Sequence, residues 1–557
     1  MKSLFYLTFL FLNIMQTHNI AQELQKAFIN GKIYTVNEKQ PYAEAVITRN
    51  NRIYFVGSTE QAKHFITPET EIIDLKGKLM LPGFIDNHVH FINGGFYKLG
   101  VDLRHAKSTD EFKTMLKDYV SRNGGKWITG GDWDHEAWEK NDLPVKEWID
   151  GFTQETPVLV SRLDGHMALA NSYALKLAGI TKDTPNPEGG LIVKDKVTGE
   201  PTGILKDNAM SLVFAVIPEP GEEEYAIALK AALKEAKKNG FTSVQDITYA
   251  NDLKTYQNFE KEGSLTCRIY TRLPMADCDN LIGSGIKYNF GSEKLKIGSL
   301  KAFADGSLGS STALFFEPYK QDSTTTGLAM DYVTDGRLKN WALKSDKAGL
   351  QLSIHAIGDK ANSMILDIFE EVVKNNPKWG RRFRIEHAQH VRPEDVKRFA
   401  KMNVIASVQP YHLIDDGCWA EKRIGKERLR NTYPFKTFIE NGVKVCFGSD
   451  WSVAPLDPIM GIYAAVTRST LDGKRPEGWI PEEKISVEDA VKCYTINNAY
   501  ASFEEDIKGS IEAGKLADMV VLSEDILTLE AAKIREVKVE MTVFDGDIIY
   551  KADTQAE

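Results

Sequence analysis

The sequence predicts an α/β protein, a (β/α)8 TIM barrel, with a small β-sandwich domain built from both chain ends and an insertion after the first barrel strand. Eight short apolar runs alternate with longer helical patterns, which is typical of a closed parallel barrel. Both ends of the chain are instead rich in short β-runs and turns. The 557 residues exceed what one core normally fills, so a second, smaller domain is expected.

The eight barrel strands are predicted where apolar, β-rich runs precede helical stretches. In chain order they are FIDNHVHF, TSVQDI from Thr242, CRIYTRL from Cys267, KIGSLKAFADG from Lys296, LQLSIHAIGD from Leu350, FRIEHAQ from Phe383, VIASVQP from Val404 and VKVCFGSD from Val443. Helical stretches such as EEEYAIALKAALKEAKKNG end in Asn or Gly, which are common stop residues for helices.

The predicted domains follow from where the β-rich ends give way to the alternating strand and helix patterns. Residues 22–82 and 505–557 form the composite β-sandwich, with hairpin turns at Asn30-Gly31 and Asp545-Gly546. Residues 83–504 form the barrel. The interval between its first two strands is too long for one helix, so about residues 102–240 are expected to form an inserted, partly β-structured cap.

The N-terminal residues 1–21 resemble a secretory signal peptide, because Lys2 precedes a short apolar core and polar residues. The alternative is an uncleaved membrane anchor. We therefore expect an exported, periplasmic protein with no stable membrane insertion after cleavage. The five cysteines are odd in number and contain no C-x-x-C pair, so they indicate no disulfide framework.

The net charge of −9 and a pI near 5.8 argue against nucleic acid as a partner. We expect a small-molecule substrate instead, and a homodimer is an open possibility.

The most informative motif is His88-Val89-His90 at the end of the first predicted strand. Alternate residues of a strand face the same side, so the two imidazoles project together and form half of a metal site. By itself the motif is common, and a pair of exposed or hydrogen-bonded histidines would be the better explanation. The other barrel strands, however, carry further polar residues near their carboxyl ends, where barrel enzymes place their active sites: Lys301, His355, His387 and Asp450.

Each of these residues has an ordinary explanation, such as a lysine paired with Asp305 or an aspartate that caps a helix. Together they supply ligand types for two divalent ions, provided that Lys301 has reacted with carbon dioxide to become a bridging carboxylate. His390, three residues beyond His387, is expected to lie in the following loop or to support the ligands.

The order of these residues along the chain resembles the amidohydrolase superfamily. The phrases LPGFIDNHVHF, KAFADGSLGSSTA, LSIHAIGDKA, RIEHAQ and FGSDW are similar to those of YtcJ-like amidohydrolases, the group that includes N-substituted formamide deformylases. The resemblance covers nearly all of the chain after the N-terminal segment.

The resemblance implies one or two divalent metal ions, with zinc as the expected metal. It assigns one ion to His88, His90 and Asp450 and the other to His355 and His387, with carboxylated Lys301 as the bridge. Some members of the superfamily bind one metal and lack the modified lysine. In that alternative Lys301 stays protonated and pairs with an acid such as Asp305 or with the substrate.

The implied reaction is hydrolysis of the C–N bond of an amide of the N-acyl or N-formyl amine type. A hydroxide activated by the metal attacks the carbonyl, and Asp450 is the catalytic acid and base. The same chemistry also suits a cyclic amide, a carbamate or an ester. A different class of function is a non-catalytic periplasmic ligand-binding protein on the same scaffold.

Three residues of the insertion are candidate substrate contacts by analogy: Arg162 and His166 in SRLDGHMALANS, and Trp133 in GGDWD as a wall. A hydrogen-bonded turn explains them equally well. Trp451 and Tyr411 near the barrel mouth are better explained by packing in the core.

Overall fold

The computed structural model describes residues 24–135, 138, 142–162, 166–187 and 189–552. The predicted signal segment lies outside these residues. No helix within the described ranges is long and apolar enough to cross a membrane.

All eight predicted barrel strands form and lie side by side in one parallel sheet in chain order. The side chain of Asn498 closes the barrel, because its amide donates to the carbonyls of Ile85 in the first strand and Phe447 in the eighth. The strands are β1 (Phe84–Val89), β2 (Phe241–Ile247), β3 (Arg268–Pro274), β4 (Leu295–Phe303), β5 (Gln351–Ala356), β6 (Arg384–His387), β7 (Ile405–Val408) and β8 (Val445–Phe447).

Helices surround the barrel because each has one apolar face. In Asp359–Asn375, for example, Ile365, Phe369 and Val372 recur at helical spacing and are buried. The helices after β1 and before β2 are Phe91–Leu99 and Glu222–Lys238. The remaining helices of this layer are Ala250–Lys261, Cys278–Gly283, Asp331–Thr334, Arg337–Lys347, Asp359–Asn375, Pro393–Met402, Pro410–Asp416, Ala420–Ile424, Lys426–Leu429, Phe435–Glu440, Pro458–Thr467, Val487–Tyr494 and Ile496–Ala501.

Strands from both ends of the chain pair with one another. Leu79–Pro82 runs antiparallel to Met519–Leu522, with Leu81 opposite Val520. Their sheet contains, in spatial order, Asp547–Lys551, Val539–Phe544, Met519–Leu522, Leu79–Pro82, Lys32–Tyr34 and Tyr42–Ala43. A second sheet contains Arg52–Gly57, Ala45–Arg49, Gln25–Ile29 and Glu71–Asp74. Apolar side chains of both sheets, among them Phe28 and Met519, share one core.

The insertion between β1 and β2 has its own apolar core, and we call this layer the cap. Its longest helix, Thr109–Asn123, begins where the Ser108 hydroxyl accepts a hydrogen bond from the Glu111 amide. Its sheet consists of Gly190–Lys194, Pro201–Asp207, Met167–Ala170, Leu159–Arg162, Gly130–Trp133 and Val101–Asp102.

Candidate metal centre

A cluster of histidines surrounds Asp450 at the carboxyl ends of the barrel strands. His88 Nε2 lies 3.4 Å and His90 Nε2 3.5 Å from Asp450 Oδ1. One ligand atom from each of these three residues lies within 4.8 Å of the other two, a spacing that suits a shared divalent ion.

A second group on the other side of Asp450 includes a histidine that the sequence analysis missed. Ligand atoms of His387, His412 and Asp450 also lie within 4.8 Å of one another, and His412 Nε2 is 4.0 Å from Asp450 Oδ2. His412 is the third residue of the helix Pro410–Asp416, directly beyond β7. Its position after a barrel strand could have identified it, because residues in such loops reach the same mouth.

Lys301 and His355 lie beside these groups. The side chain of Lys301 is 4% exposed, and its Nζ lies 4.4 Å from the centre of the Phe303 ring. The rings of His355 and His387 are 4.4 Å apart, while His355 Nε2 is 3.2 Å from the Gly306 carbonyl oxygen and 3.3 Å from Asp305 Oδ1. The Asp305 carboxylate accepts hydrogen bonds from the backbone amides of Leu314, Ile357 and Gly358 rather than pairing with Lys301.

We call His88, His90, Lys301, His355, His387, His412 and Asp450 the rim cluster. Five of its buried polar atoms have no hydrogen-bond partner among the described residues: Lys301 Nζ, His355 Nδ1, His387 Nδ1, His412 Nε2 and Asp450 Oδ1. Buried polar atoms without partners are costly, and they are rarely concentrated at one place. Since these are nitrogen and carboxylate donors, the residues present fit a divalent metal.

The backbone supports this arrangement at some conformational cost. His387 has φ of 71° and Asp450 has φ of 58°, in the left-handed region that non-glycine residues rarely occupy. The Asp450 amide donates to the His88 carbonyl over 2.7 Å, which ties the end of β8 to β1. Gly448 permits the close approach, because a Cβ there would lie 2.6 Å from the His88 amide nitrogen.

Below the rim cluster lies a charged layer inside the barrel, which we call the polar floor: Arg272, Ser353, Arg384, Glu386 and Ser407. Glu386 accepts a hydrogen bond from His88 Nδ1. Its carboxylate also contacts Arg272 at 2.9 Å and Arg384 at 3.0 Å. A carboxylate on Nδ1 orients the imidazole and leaves Nε2 facing the rim, which is how metal-binding histidines are commonly held.

Burial and neighbouring charge set the protonation of these groups. Burial lowers the pKa of His88 and of His387 well below the ordinary value, so both imidazoles are neutral and suited to metal binding. Burial raises the pKa of Asp450, but His88 and His90 outweigh it and hold that pKa well below its usual range. Burial lowers the pKa of Lys301 to about 7.

The three predicted residues of the cap contact other residues of the cap. Trp133 is fully buried, and its Nε1 donates to the Val160 carbonyl within the cap. Arg162 Nη2 donates to Asp134 Oδ1 over 2.9 Å, and His166 Nδ1 lies 2.9 Å from Asp207 Oδ1. Arg162 is part-buried and His166 is exposed.

Three further predicted positions lie close to the mouth. His390 is buried and its Nδ1 lies 2.8 Å from Thr432 Oγ1, whereas Trp451 is buried beside Phe91. Tyr411 is half-buried and packs against the main core.

Comparisons with known proteins agree with the fold and identify the family. A relative in Arabidopsis thaliana, "Protein LONG AFTER FAR-RED 3", is 42% identical over 89% of this chain and 86% of its own length. "Putative amidohydrolase YtcJ" of Bacillus subtilis is 34% identical and "N-substituted formamide deformylase" of Arthrobacter pascens 27% identical, each over 94% of this chain and 98% of its own length.

A solved structure, an uncharacterized metal-dependent hydrolase from Pyrococcus furiosus, superimposes with a TM-score of 0.76 at 30% identity, covering 90% of this chain and all of the other. The family model described as "Amidohydrolase family" matches residues 71–550. This chain therefore belongs to the amidohydrolase family.

Proposed function

We propose that this protein uses divalent metal to hydrolyse the C–N bond of an amide of the N-acyl or N-formyl amine type. The observation that carries the proposal is the set of five buried polar atoms of the rim cluster, Asp450 Oδ1 among them, that have no hydrogen-bond partner in the described part of the chain. The deformylase relative supports an amide as the substrate. The alternative of a binding protein without catalysis would not require an ionised carboxylate, such as that of Asp450, beside these donors.

For the metal ligands we propose His88, His90 and Asp450 for one ion and His355 and His387 for the other, with carboxylated Lys301 as their shared ligand and zinc as the metal. His412 is an additional candidate ligand. Its Nε2 lies 4.0 Å from Asp450 Oδ2, a separation at which both atoms could bind the same ion. A divalent metal, when bound, supplies Lewis acidity and makes a water molecule nucleophilic near neutral pH.

Asp450 is the residue proposed to move the proton. Its pKa lies well below neutrality, so its carboxylate can accept a proton from the attacking water. The same carboxyl group can then deliver that proton to the departing amine nitrogen. Glu386 holds the His88 ring in place through Nδ1, so that Nε2 stays directed at the rim.

Lys301 is proposed to carry a carboxylate added by carbon dioxide. Burial lowers its pKa to about 7, which favours the neutral amine that can react. If the carbamate bridges two ions, Lys301→Ala should lose one metal equivalent, and short carboxylic acids should restore part of the activity. An unchanged metal content in the variant would instead indicate a mononuclear site.

Arg162 and His166 remain proposed substrate contacts of the cap, by analogy with the family. Trp133 also belongs to that proposed set, and its ring packs against Phe112 and Trp138 in the cap core.

We also propose export to the periplasm from residues 1–21. Expression with and without that segment, followed by cell fractionation, tests this.

The test of the reaction class is a substrate panel measured with zinc-loaded protein. An N-acyl amine, a cyclic amide, a carbamate and an ester of matched size separate the related hydrolytic activities. We expect the N-acyl amine to be cleaved with the highest kcat/KM, and its amine product to appear in equal amount to the acid. Turnover of the ester alone would contradict the amide assignment.

A further inference from the structure

A cavity of about 340 Å³ opens beside Lys301, beyond the carboxyl ends of β2, β3 and β4. Its walls are mostly apolar or aromatic, and five of the residues that form them are Ile247, Met275, Phe303, Tyr332 and Trp341. Ligand pockets commonly combine such walls with a few polar groups at one end. Here Lys301 is the member of the rim cluster that lines the cavity.

The aromatic walls are held in place by the protein itself. The Phe303 amide donates to the Tyr332 hydroxyl over 3.2 Å, which fixes the polar end of that ring against β4. The rings of Tyr332 and Trp341 lie 5.3 Å apart at an angle of 46°. The cavity is therefore shaped before any ligand enters, so binding requires little ordering of its walls.

Phe303 links the cavity to the rim cluster. Its ring lies 4.4 Å from Lys301 Nζ and 5.3 Å from the centre of the His355 ring. A substituent that rests against Phe303 would thus place the bond attached to it near the groups proposed to hold metal.

The charges around the cavity do not favour an ionic substituent. The charged residues of the lining are Lys301, which is proposed to carry a carboxylate, and Arg337, whose Nε donates to Asp335 over 2.7 Å. The Arg337–Asp335 pair is exposed, whereas Ile247 and Met275 are buried apolar residues of the lining.

We infer that this cavity binds a neutral, ring-sized apolar substituent of the substrate, either an aryl or a branched alkyl group. This inference rests on the proposed amide hydrolysis and names the class of amide that the protein prefers. A cavity of about 150 Å³ is enough to hold benzene, so the available space accommodates one ring and a short linker.

The test fills the cavity from its exposed edge. Ala276 lines the cavity but is itself exposed, so Ala276→Trp should occupy the space without disturbing the core, and Ala276→Ser is the matched control. The substrates are N-benzylacetamide, N-methylbenzamide and N-methylacetamide, which carry the ring on the amine side, on the acyl side or not at all.

We expect the wild-type protein to prefer at least one ring-bearing amide by about 10-fold or more in kcat/KM, as burial of a phenyl group predicts. Ala276→Trp should remove most of that preference while N-methylacetamide changes by less than about 3-fold, and Ala276→Ser should behave as wild type. Equal losses for all three amides, or no preference in the wild type, would overturn the inference.

Binding of benzyl alcohol to the zinc-loaded protein, measured by calorimetry, keeps this test separate from that of the reaction. If no amide is cleaved, the proposed reaction fails, yet wild type should still bind benzyl alcohol at least about 10-fold more tightly than Ala276→Trp. Equal binding by the two proteins would show that the cavity is not the ligand site.

Discussion

The rim cluster and the polar floor lie next to each other inside one barrel, but their buried polar atoms differ in how many partners the protein provides. In the floor, both oxygens of Glu386 are occupied by Arg272, Arg384, His88 and two serine hydroxyls. In the rim, five donor or acceptor atoms have no partner within the described part of the chain. In the floor the carboxylate is fully paired within the protein, although Arg272 Nε and Arg384 Nε also have no hydrogen-bond partner among the described residues. The rim instead gathers nitrogen and carboxylate donors without partners at one place, an arrangement suited to ligands that the polypeptide does not provide.

This difference in pairing corresponds to a different role for each layer. The floor balances buried charge and fixes the orientation of His88. In the rim, burial keeps His88 and His387 neutral, and the carboxylate of Asp450 is ionised, which is the state that a metal site requires. Substitutions in the two layers should therefore have different consequences, activity and metal content for the rim and folding for the floor.

The largest effect is expected at Asp450. Asn is similar in size and tolerates the positive φ at this position, so Asp450→Asn should fold, but it cannot accept the proton. We expect kcat/KM to fall by about 10³-fold or more, with little change in thermal stability. Retention of more than one tenth of the activity in the zinc-loaded variant would remove Asp450 from its proposed role.

The next largest effect should come from the floor and should appear in folding. Glu386→Gln leaves Arg272 and Arg384 buried without their counter-ion, which should cost about 3–5 kcal/mol of unfolding free energy. Urea unfolding measures this, and Glu371→Gln, at an exposed ion pair, is the control that should change little. If both variants are equally stable, the floor does not depend on charge balance.

A smaller effect on metal affinity is expected at His412. His412→Ala removes a candidate donor, so affinity for zinc, measured by chelator competition, should fall by about 10-fold or more. His390→Ala is the matched control, since His390 is a buried histidine near the mouth whose Nδ1 contacts Thr432. Should the two variants bind zinc equally well, His412 is not a ligand.

The smallest effect concerns Asp416, a buried carboxyl that contrasts with Glu386. It accepts hydrogen bonds from Gln389 and Tyr433 but forms no ion pair with any described residue, and burial raises its pKa to about 7. Arg272 and Arg384, in contrast, overcome the effect of burial and hold the pKa of Glu386 well below its usual range. Charge balance, rather than burial alone, thus separates the two carboxyl groups.

Because the folded pKa of Asp416 exceeds the unfolded value of about 4, the protonated group stabilises the fold at low pH. That contribution is lost as pH rises towards 7. Asp416→Asn should therefore reduce the loss of unfolding free energy between pH 4 and pH 7 by about 1–3 kcal/mol, measured by urea unfolding. An identical pH dependence in variant and wild type would contradict this.

Much of the barrel could be predicted from the sequence because parallel strands buried on both faces form continuous apolar runs. The same runs located His88, His90, Lys301, His355, His387 and Asp450, since each lies in or just after a strand. His412 was missed because it lies in a short helix after β7, where no strand periodicity indicates it.

The polar floor could not be predicted from the sequence either. Arg272, Arg384 and Glu386 look like ordinary charged residues within strands, and only the closed barrel shows that they face one another with no exposed surface. Lys301 illustrates the same limit. Its burial was expected from its strand, but the engagement of Asp305 by three backbone amides could not be foreseen.

The most direct test of the central claim is the metal content of the wild-type protein, measured together with its turnover before and after chelation. We expect one or two divalent ions per chain, loss of hydrolysis when they are removed, and recovery when zinc is returned in the same stoichiometry. A metal-free preparation with full turnover would show that the unpartnered atoms of the rim serve some other purpose.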